Sequence, residues 1–169
     1  NRPWTQKAGQ SNTWVKRIVE TGLTEPRWVR AIEVRPGTVK GRLITHHANV
    51  DIDQVEPDGT VTVGRFMEWA VGKQGEMMRP DTGKLLMPGA RFRWDIHYSQ
   101  AGEEITSNVE MGIYFYPKGQ EPKYRQVLHL MGATNAGGVD IPPNTVKATE
   151  GYFVLRQNGR IESFQPHLH

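Results

Sequence analysis

The chain has 169 residues, 37% of them hydrophobic, a length that suits one domain or one domain plus the start of another. Its apolar stretches are too short for a membrane-spanning helix, and the absence of cysteine excludes disulfides, thiolate metal ligands and cysteine catalysis. The formal charge of +3 comes from 21 basic and 18 acidic residues scattered along the chain, which argues against a nucleic-acid partner.

Short runs of alternating apolar and polar residues, bounded by turn residues, recur along the chain and predict an all-β fold. The first predicted strands are residues 28–34 and 39–50. Pro57-Asp58-Gly59 then separates residues 50–52 from residues 61–63. This pattern predicts a hairpin, because glycine accepts the positive φ that tight turns need.

Residues 64–90 contain five glycines and two prolines. They predict a long irregular surface connection, anchored to the core by Trp69 and Met77-Met78. Residues 92–98 and 109–116 alternate well and predict two further strands, with a polar turn between them.

The best candidate domain boundary is Lys118-Gly119-Gln120-Glu121-Pro122, which combines charge, glycine and proline. It divides the chain into residues 1–120 and residues 121–169. Beyond it, residues 127–131, 146–155 and 161–169 predict strands, and Asn158-Gly159 predicts a hairpin between the last two.

Five of the six histidines fall into three groups: His46-His47, His97, and His167 with His169. Histidine is the commonest neutral ligand of transition metals, so this grouping suggests metal sites. Neighbouring strand residues face opposite ways, so His46 and His47 can share an ion only where the strand ends or is bulged. The alternative for this pair is one core and one surface histidine.

The remaining histidines allow a metal role or an ordinary one. His97 follows Asp95 by two residues on one face, so Asp95 could accept a hydrogen bond from its ring, and His97 could equally be structural. His167 and His169 also share a face and form a two-ligand half site, or else a strand end or a tag fragment. His129, in an apolar run, predicts a core or interface histidine.

Two other patterns are weaker candidates for chemistry. Glu103-Glu104 diverge in a turn that follows Gly102, which favours a solvated loop over an acid/base pair. The Gly72-Lys73-Gln74-Gly75 segment lacks the strand-to-helix context of a phosphate-binding loop.

Taken in order, the histidine groups resemble the copper type II, ascorbate-dependent monooxygenases, the family of peptidylglycine α-hydroxylating and dopamine β-monooxygenases, and in particular their bacterial branch. Thr45-His46-His47-Ala48 resembles the paired-histidine motif of the first copper site, and Ile96-His97-Tyr98 resembles the His-Tyr motif that supplies its third ligand. Asp140-Ile141-Pro142-Pro143-Asn144 resembles the segment entering the second domain. His167-Leu168-His169 falls where the His-x-His of the second copper site belongs.

The chain departs from this family in two places. Asp95 stands where the animal enzymes have glutamine, which puts an electron-transfer role of that position in doubt. The methionine that completes the second copper site in the family lies beyond the end of this sequence.

The resemblance implies two antiparallel β-sandwiches of jelly-roll type, the first nearly complete and the second represented by its opening strands. It also implies two copper sites: His46, His47 and His97 hold the first ion at roughly 2 Å, and His167 with His169 begin the second. The incomplete second site is expected to hold copper weakly or to be completed by another chain, and a partner chain is expected to cover residues 121–169.

The implied activity is O2 activation and C–H hydroxylation with an external electron donor such as ascorbate, in a periplasmic or secreted protein. The chain starts at Asn1 with no signal-peptide core, as in a processed protein or a fragment. The sequence does not identify the substrate. The alternatives are a copper-binding or electron-transfer sandwich without hydroxylase activity, and a structural or glycan-binding module.

Overall fold

A computed structural model describes residues 2–129 and 141–166, and the regular secondary structure in these ranges is nearly all β. The chain forms two compact units, Asn1–Leu128 and His129–His169. Within the described ranges, no helix has the length and apolar character needed to cross a membrane. The predicted all-β class is confirmed, and the described strands all lie in the first unit.

The first unit is a β-sandwich of antiparallel sheets. In chain order the elements are β1 (Trp4–Gln6), β2 (Thr13–Glu20), β3 (Arg27–Pro36), a 3-10 helix (Lys40–Leu43), β4 (Thr45–Val55), β5 (Val61–Ala70), β6 (Gly75–Met77), β7 (Thr82–Leu86), β8 (Arg91–Tyr98), β9 (Ile105–Ser107), β10 (Val109–Phe115) and β11 (Tyr124–Arg125). Strands β2, β8, β4 and β5 form a four-stranded sheet in that order, and the second sheet has the order β10, β3, β7 and β11, with β6 also paired to β3. Strands β1 and β9 form a separate pair, and only the β7–β11 contact is parallel among the described pairs.

The hydrophobic core lies between the two main sheets and fixes which face of each strand points inward. Ala48 and Val50 of β4 and Ile96 of β8 are buried in it, as is Val29 of β3. Burying one such valine or isoleucine side chain contributes about 1.5–3 kcal/mol. Because side chains alternate along a strand, the residues between these core positions on β4 and β8 face away from the core.

The predicted hairpin at Pro57-Asp58-Gly59 is confirmed: it joins β4 to β5, and Gly59 has a φ of +83°. The Oδ1 atom of Asp58 accepts hydrogen bonds from the backbone N–H of Thr60 at 3.0 Å and from its hydroxyl at 2.7 Å. These bonds reinforce the turn, which is also closed by a backbone hydrogen bond from the N–H of Gly59 to the Glu56 carbonyl at 2.9 Å.

The prediction that residues 64–90 form an irregular connection is wrong, since β5, β6 and β7 lie in this segment. Gly75 and Gly83 are strand residues, and a Cβ there would lie 2.7 Å from the Ile32 carbonyl oxygen and 2.9 Å from that of Val29. These glycines therefore permit close approach of neighbouring backbones. Of the predicted anchors, Trp69 and Met78 are buried, but Met77 is 88% exposed.

The predicted strand over residues 39–50 is also wrong in its first part, where Lys40–Leu43 forms a 3-10 helix. The Thr38 hydroxyl accepts a hydrogen bond from the N–H of Gly41 at 2.9 Å, and the Thr45 hydroxyl donates to the Gly41 carbonyl at 2.8 Å. Such local side-chain bonds offer the backbone an alternative to the sheet.

The predicted opening strands of a second sandwich are absent from the part of the chain that the structure describes. Residues 127–129, 146–155 and 161–166 contain no strand. Val146, Tyr152 and Val154 are exposed. A two-stranded hairpin without an apolar surface to pack against is marginally stable, so Asn158-Gly159 does not impose one by itself.

An ion pair fixes β11 to the sandwich. Arg125 donates to both carboxylate oxygens of Glu56, at 2.9 and 2.8 Å, and the Thr62 hydroxyl donates to the same carboxylate at 2.6 Å. The hydrogen bond from Arg125 is the main cause that lowers the pKa of Glu56 to about 2, against the opposing effect of burial.

This pair should produce a measurable pH dependence of stability. The pKa of Glu56 lies below its ordinary value of 4.5, so the ionised carboxylate stabilises the fold above about pH 4.5, and this contribution is lost as the pH falls toward about 2. Arg125→Met should reduce the dependence, whereas Arg35→Met, which removes an exposed ion pair with Glu110, should not. Urea unfolding at a series of pH values tests this, and parallel curves for Arg125→Met and the wild type would contradict it.

Candidate metal centre

His47 and His97 lie side by side on the two central strands of the four-stranded sheet. They are paired residues in the β4–β8 register, and both alternate with core residues, so both face away from the hydrophobic core. The rings are nevertheless buried, with 2% of His47 and 4% of His97 exposed. Two imidazoles are thus held on rigid neighbouring strands, close to the surface but out of contact with bulk water.

His46 joins them through a β-bulge. Thr45 pairs with Tyr98 and His47 with His97, so two steps along β4 correspond to one step along β8, and His46 is the extra residue. On the other side of β4, the His46 carbonyl accepts a hydrogen bond from the N–H of Val71 at 3.1 Å. The predicted irregularity at His46-His47 is confirmed, and it frees the His46 side chain from strict alternation.

Ring nitrogens of the three histidines converge. The Nδ1 atom of His97 lies 3.2 Å from Nδ1 of His46 and 3.1 Å from Nε2 of His47. One nitrogen from each of the three residues lies within 4.8 Å of the others. The expected convergence is therefore present, while ligation of an ion by these nitrogens stays a prediction.

These distances are compatible with a shared metal ion. A ring nitrogen carries one proton or one in-plane lone pair, so Nδ1 of His97 cannot make two good hydrogen bonds at once. Two nitrogens bound at about 2.0–2.1 Å to one ion are separated by roughly 2.9–3.6 Å, for angles between about 90° and 120°. Both measured separations lie within this range.

Trp14 completes the arrangement, and its role was not evident from the sequence. It is paired with His97 in the β2–β8 register. Its ring is stacked on that of His97, with a centroid separation of 4.5 Å and an interplanar angle of 4°, and it meets the His47 ring edge-on at 4.9 Å. No local signal marks Trp14, because it becomes a neighbour of His97 only through pairing of two strands that are distant in sequence.

Asp95 lies on the same face as His97, as predicted, and is paired with Asn49 of β4. The Oδ1 atom of Asp95 is buried and has no hydrogen-bond partner, so this atom does not orient the His97 ring. The Oδ1 atom of Asn49 is likewise buried without a hydrogen-bond partner.

The other predicted site residues are not brought to this cluster within the described residues. His129 is exposed, so the core alternative of its prediction is wrong and the interface alternative stays a prediction; its ring contacts Phe153 at a centroid distance of 4.7 Å. Residues 127–129 form no strand, so no sheet buries this side chain. His167 and His169 lie outside the described residues, so their pairing stays a prediction.

The two weaker candidates are structural. Glu103 forms an exposed ion pair with Lys40 at 2.6 Å. Lys73, within the glycine-flanked segment, contacts the carboxylate of Glu76 at 2.6 Å. Both observations agree with the ordinary interpretation of these residues as charged groups in surface or interstrand ion pairs.

The 3-10 helix that precedes the bulge requires glycine at position 41. A Cβ on Gly41 would lie 2.7 Å from the Cβ of Ser107, closer than real Cβ contacts allow. We expect Gly41→Ala to lower the free energy of unfolding by about 1–3 kcal/mol, the usual cost of overpacking. Gly64→Ala is the matched control, because nothing lies within 4 Å of a Cβ there. Equal urea midpoints for the two variants would contradict this expectation.

Comparison with models of known protein families gives no match for this chain, and a search of curated proteins gives none either. The assignment of function therefore depends on the geometry of the histidine cluster and on the motifs in the sequence.

Proposed function

We propose that the chain is part of a copper-dependent monooxygenase, in which His46, His47 and His97 hold one copper ion. The observation that carries the proposal is the approach of His46 Nδ1 and His47 Nε2 to the same nitrogen of His97, at 3.2 and 3.1 Å. The order of the histidine motifs and their resemblance to the copper type II family support the choice of reaction.

The donor set favours copper on chemical grounds. Three neutral imidazoles suit copper and zinc, and copper binds such sites more tightly in the general order of metal affinities. Thiolate ligands would favour zinc or iron–sulfur chemistry, and the chain has no cysteine to supply them. Copper cycling between Cu(I) and Cu(II) would supply single electrons for O2 activation, with ascorbate or another external donor restoring Cu(I).

The proposed monooxygenase has a second copper, to which His167 and His169 would contribute two imidazoles. Hydroxylation of a C–H bond would require this second site together with its further ligand. Neither copper site identifies the class of substrate.

A copper-binding or electron-transfer protein is the second candidate. It requires one copper centre, and in the described ranges 2–129 and 141–166 one group of three converging histidines is present. One such centre suffices to store and pass an electron but not to run a two-copper hydroxylation.

Copper binding and oxygen uptake separate these candidates. The protein is loaded with copper, freed of excess metal, and supplied with ascorbate in an oxygen electrode, with an equal concentration of free copper as the control. In a longer chain that extends beyond His169 and completes the second site, the monooxygenase proposal expects oxygen uptake above that control. Reduction of bound copper without such uptake would favour electron transfer, and failure to retain copper would leave only the structural or glycan-binding alternative.

A further inference from the structure

Trp14 covers the histidine cluster from the solvent side. It lies on the edge strand β2, directly opposite His97, and 47% of its surface is exposed. The stacked His97 ring beneath it is only 4% exposed, although it lies on the sheet face away from the core. The indole ring therefore separates the imidazole from water on a face that would otherwise be open.

The geometry of the contact restrains the His97 ring. Parallel planes, 4° apart at a centroid separation of 4.5 Å, restrict rotation of the imidazole out of that plane. The edge-on contact of the same indole with His47, at 66°, restrains a second ring of the cluster. Because Nδ1 of His97 is the atom that both other histidines approach, the plane of this ring decides where the three nitrogens meet.

We propose that Trp14 is a positioning residue of the metal centre: its indole holds the His97 imidazole in the plane that directs Nδ1 toward His46 and His47, and by excluding water it favours Cu(I) over Cu(II). The proposal rests on the copper site proposed above. An apolar shell disfavours the more highly charged Cu(II) ion, so the indole raises the reduction potential of the site.

If Trp14 had only a packing role, its loss would have a different effect on copper binding. A tryptophan that merely covers an edge strand would contribute to folding stability, and its loss would lower the affinities for Cu(I) and Cu(II) equally or not at all. A positioning residue changes their ratio. The ratio of the Cu(I) and Cu(II) affinities determines the midpoint potential, and a loss of folding stability alone does not alter that potential.

The test compares Trp14→Ala, Trp14→Phe and Ile18→Ala. Phenylalanine retains a ring that can stack, and Ile18 is an exposed residue on the same face of β2, which makes it the matched control for damage to this strand. Cu(I) and Cu(II) affinities are measured by competition titration, the midpoint potential by mediated titration, and stability by urea unfolding.

We expect Trp14→Ala to weaken Cu(I) binding relative to Cu(II) by at least about tenfold, which corresponds to a fall of about 59 mV in midpoint potential. Trp14→Phe should retain most of the wild-type potential, and Ile18→Ala should retain all of it. An unchanged potential in Trp14→Ala, with or without lower stability, overturns the proposal. If Trp14→Ala does not fold, Trp14→Phe carries the test. A fall of about 59 mV in the midpoint potential of Trp14→Phe would overturn the proposal, because the stacked ring would be retained without its effect on the copper.

A second measurement needs no metal and distinguishes failure of this proposal from failure of the copper site. Nitrogen NMR of the metal-free protein reports which ring nitrogen of His97 carries the proton. We expect one tautomer in the wild type and averaging between tautomers in Trp14→Ala. Identical spectra overturn the positioning role even if copper binds. A wild type that binds no copper but shows this difference overturns the proposed function and the preference for Cu(I), and retains only the orientation of the His97 ring by Trp14.

Discussion

Replacing His97 by alanine should lower the affinity for copper by more than about 100-fold. Losing a residue outside the first coordination shell already costs about 10–100-fold, and His97 is proposed to be a ligand itself. His97 is also the point of convergence, because its Nδ1 atom lies within 3.2 Å of both other histidines. Competition titration with a chelator of known affinity measures the effect, with one tight copper per molecule expected for the wild type.

His129→Ala is the matched control, because it removes an exposed histidine from the other unit. We expect it to bind copper like the wild type, and His169→Ala to change the tight site little. If His97→Ala retained tight binding, or if the wild type bound two ions equally tightly, the cluster of His46, His47 and His97 would not be the principal site.

Replacing Glu76 by alanine should lower the free energy of unfolding by about 3–5 kcal/mol, the usual cost of removing one partner of a buried ion pair. The Nζ atom of Lys84 is buried, lies 3.0 Å from Glu76 Oε2, and donates to the Phe66 carbonyl. Burial lowers the pKa of Lys84, and the charge of Glu76 partly offsets this. Without that carboxylate, a buried ammonium would remain without its counter-charge.

The pH dependence of the Glu76→Ala variant checks the cause. Because the pKa of Lys84 is below its ordinary value of 10.5, the unfolded chain binds more protons than the folded one at alkaline pH, so stability rises as Lys84 loses its proton. The loss of stability caused by Glu76→Ala should therefore become smaller as the pH rises toward 10.5. Glu110→Ala, which breaks the exposed pair with Arg35, should cost less than about 1 kcal/mol. Equal losses in the two variants would contradict the burial argument.

The sequence predicted those parts of the site that depend on local pattern. Alternation placed strands around His97 and within β3, and Pro57-Asp58-Gly59 placed the hairpin after β4. The irregularity at His46-His47 followed from one physical constraint: adjacent strand residues cannot share an ion unless the strand is bulged.

The rest depends on contacts between distant segments. Trp14 approaches His97 through strand pairing, and nothing near Trp14 in sequence encodes that register. Gly75 and Gly83 were interpreted as loop residues, but in the fold they allow backbones to approach within distances that any Cβ would obstruct. Composition alone does not distinguish these two uses of glycine.

The bulge in β4 also has a consequence for how such centres arise. A regular antiparallel pair offers one histidine from each strand to a common point, and a third donor ordinarily requires a third element. Here one additional residue within a strand brings a third ring nitrogen to the same point, so the number of converging nitrogens depends on the spacing of the chain as much as on its composition. Deleting His46 would leave two histidines there while changing no other side chain.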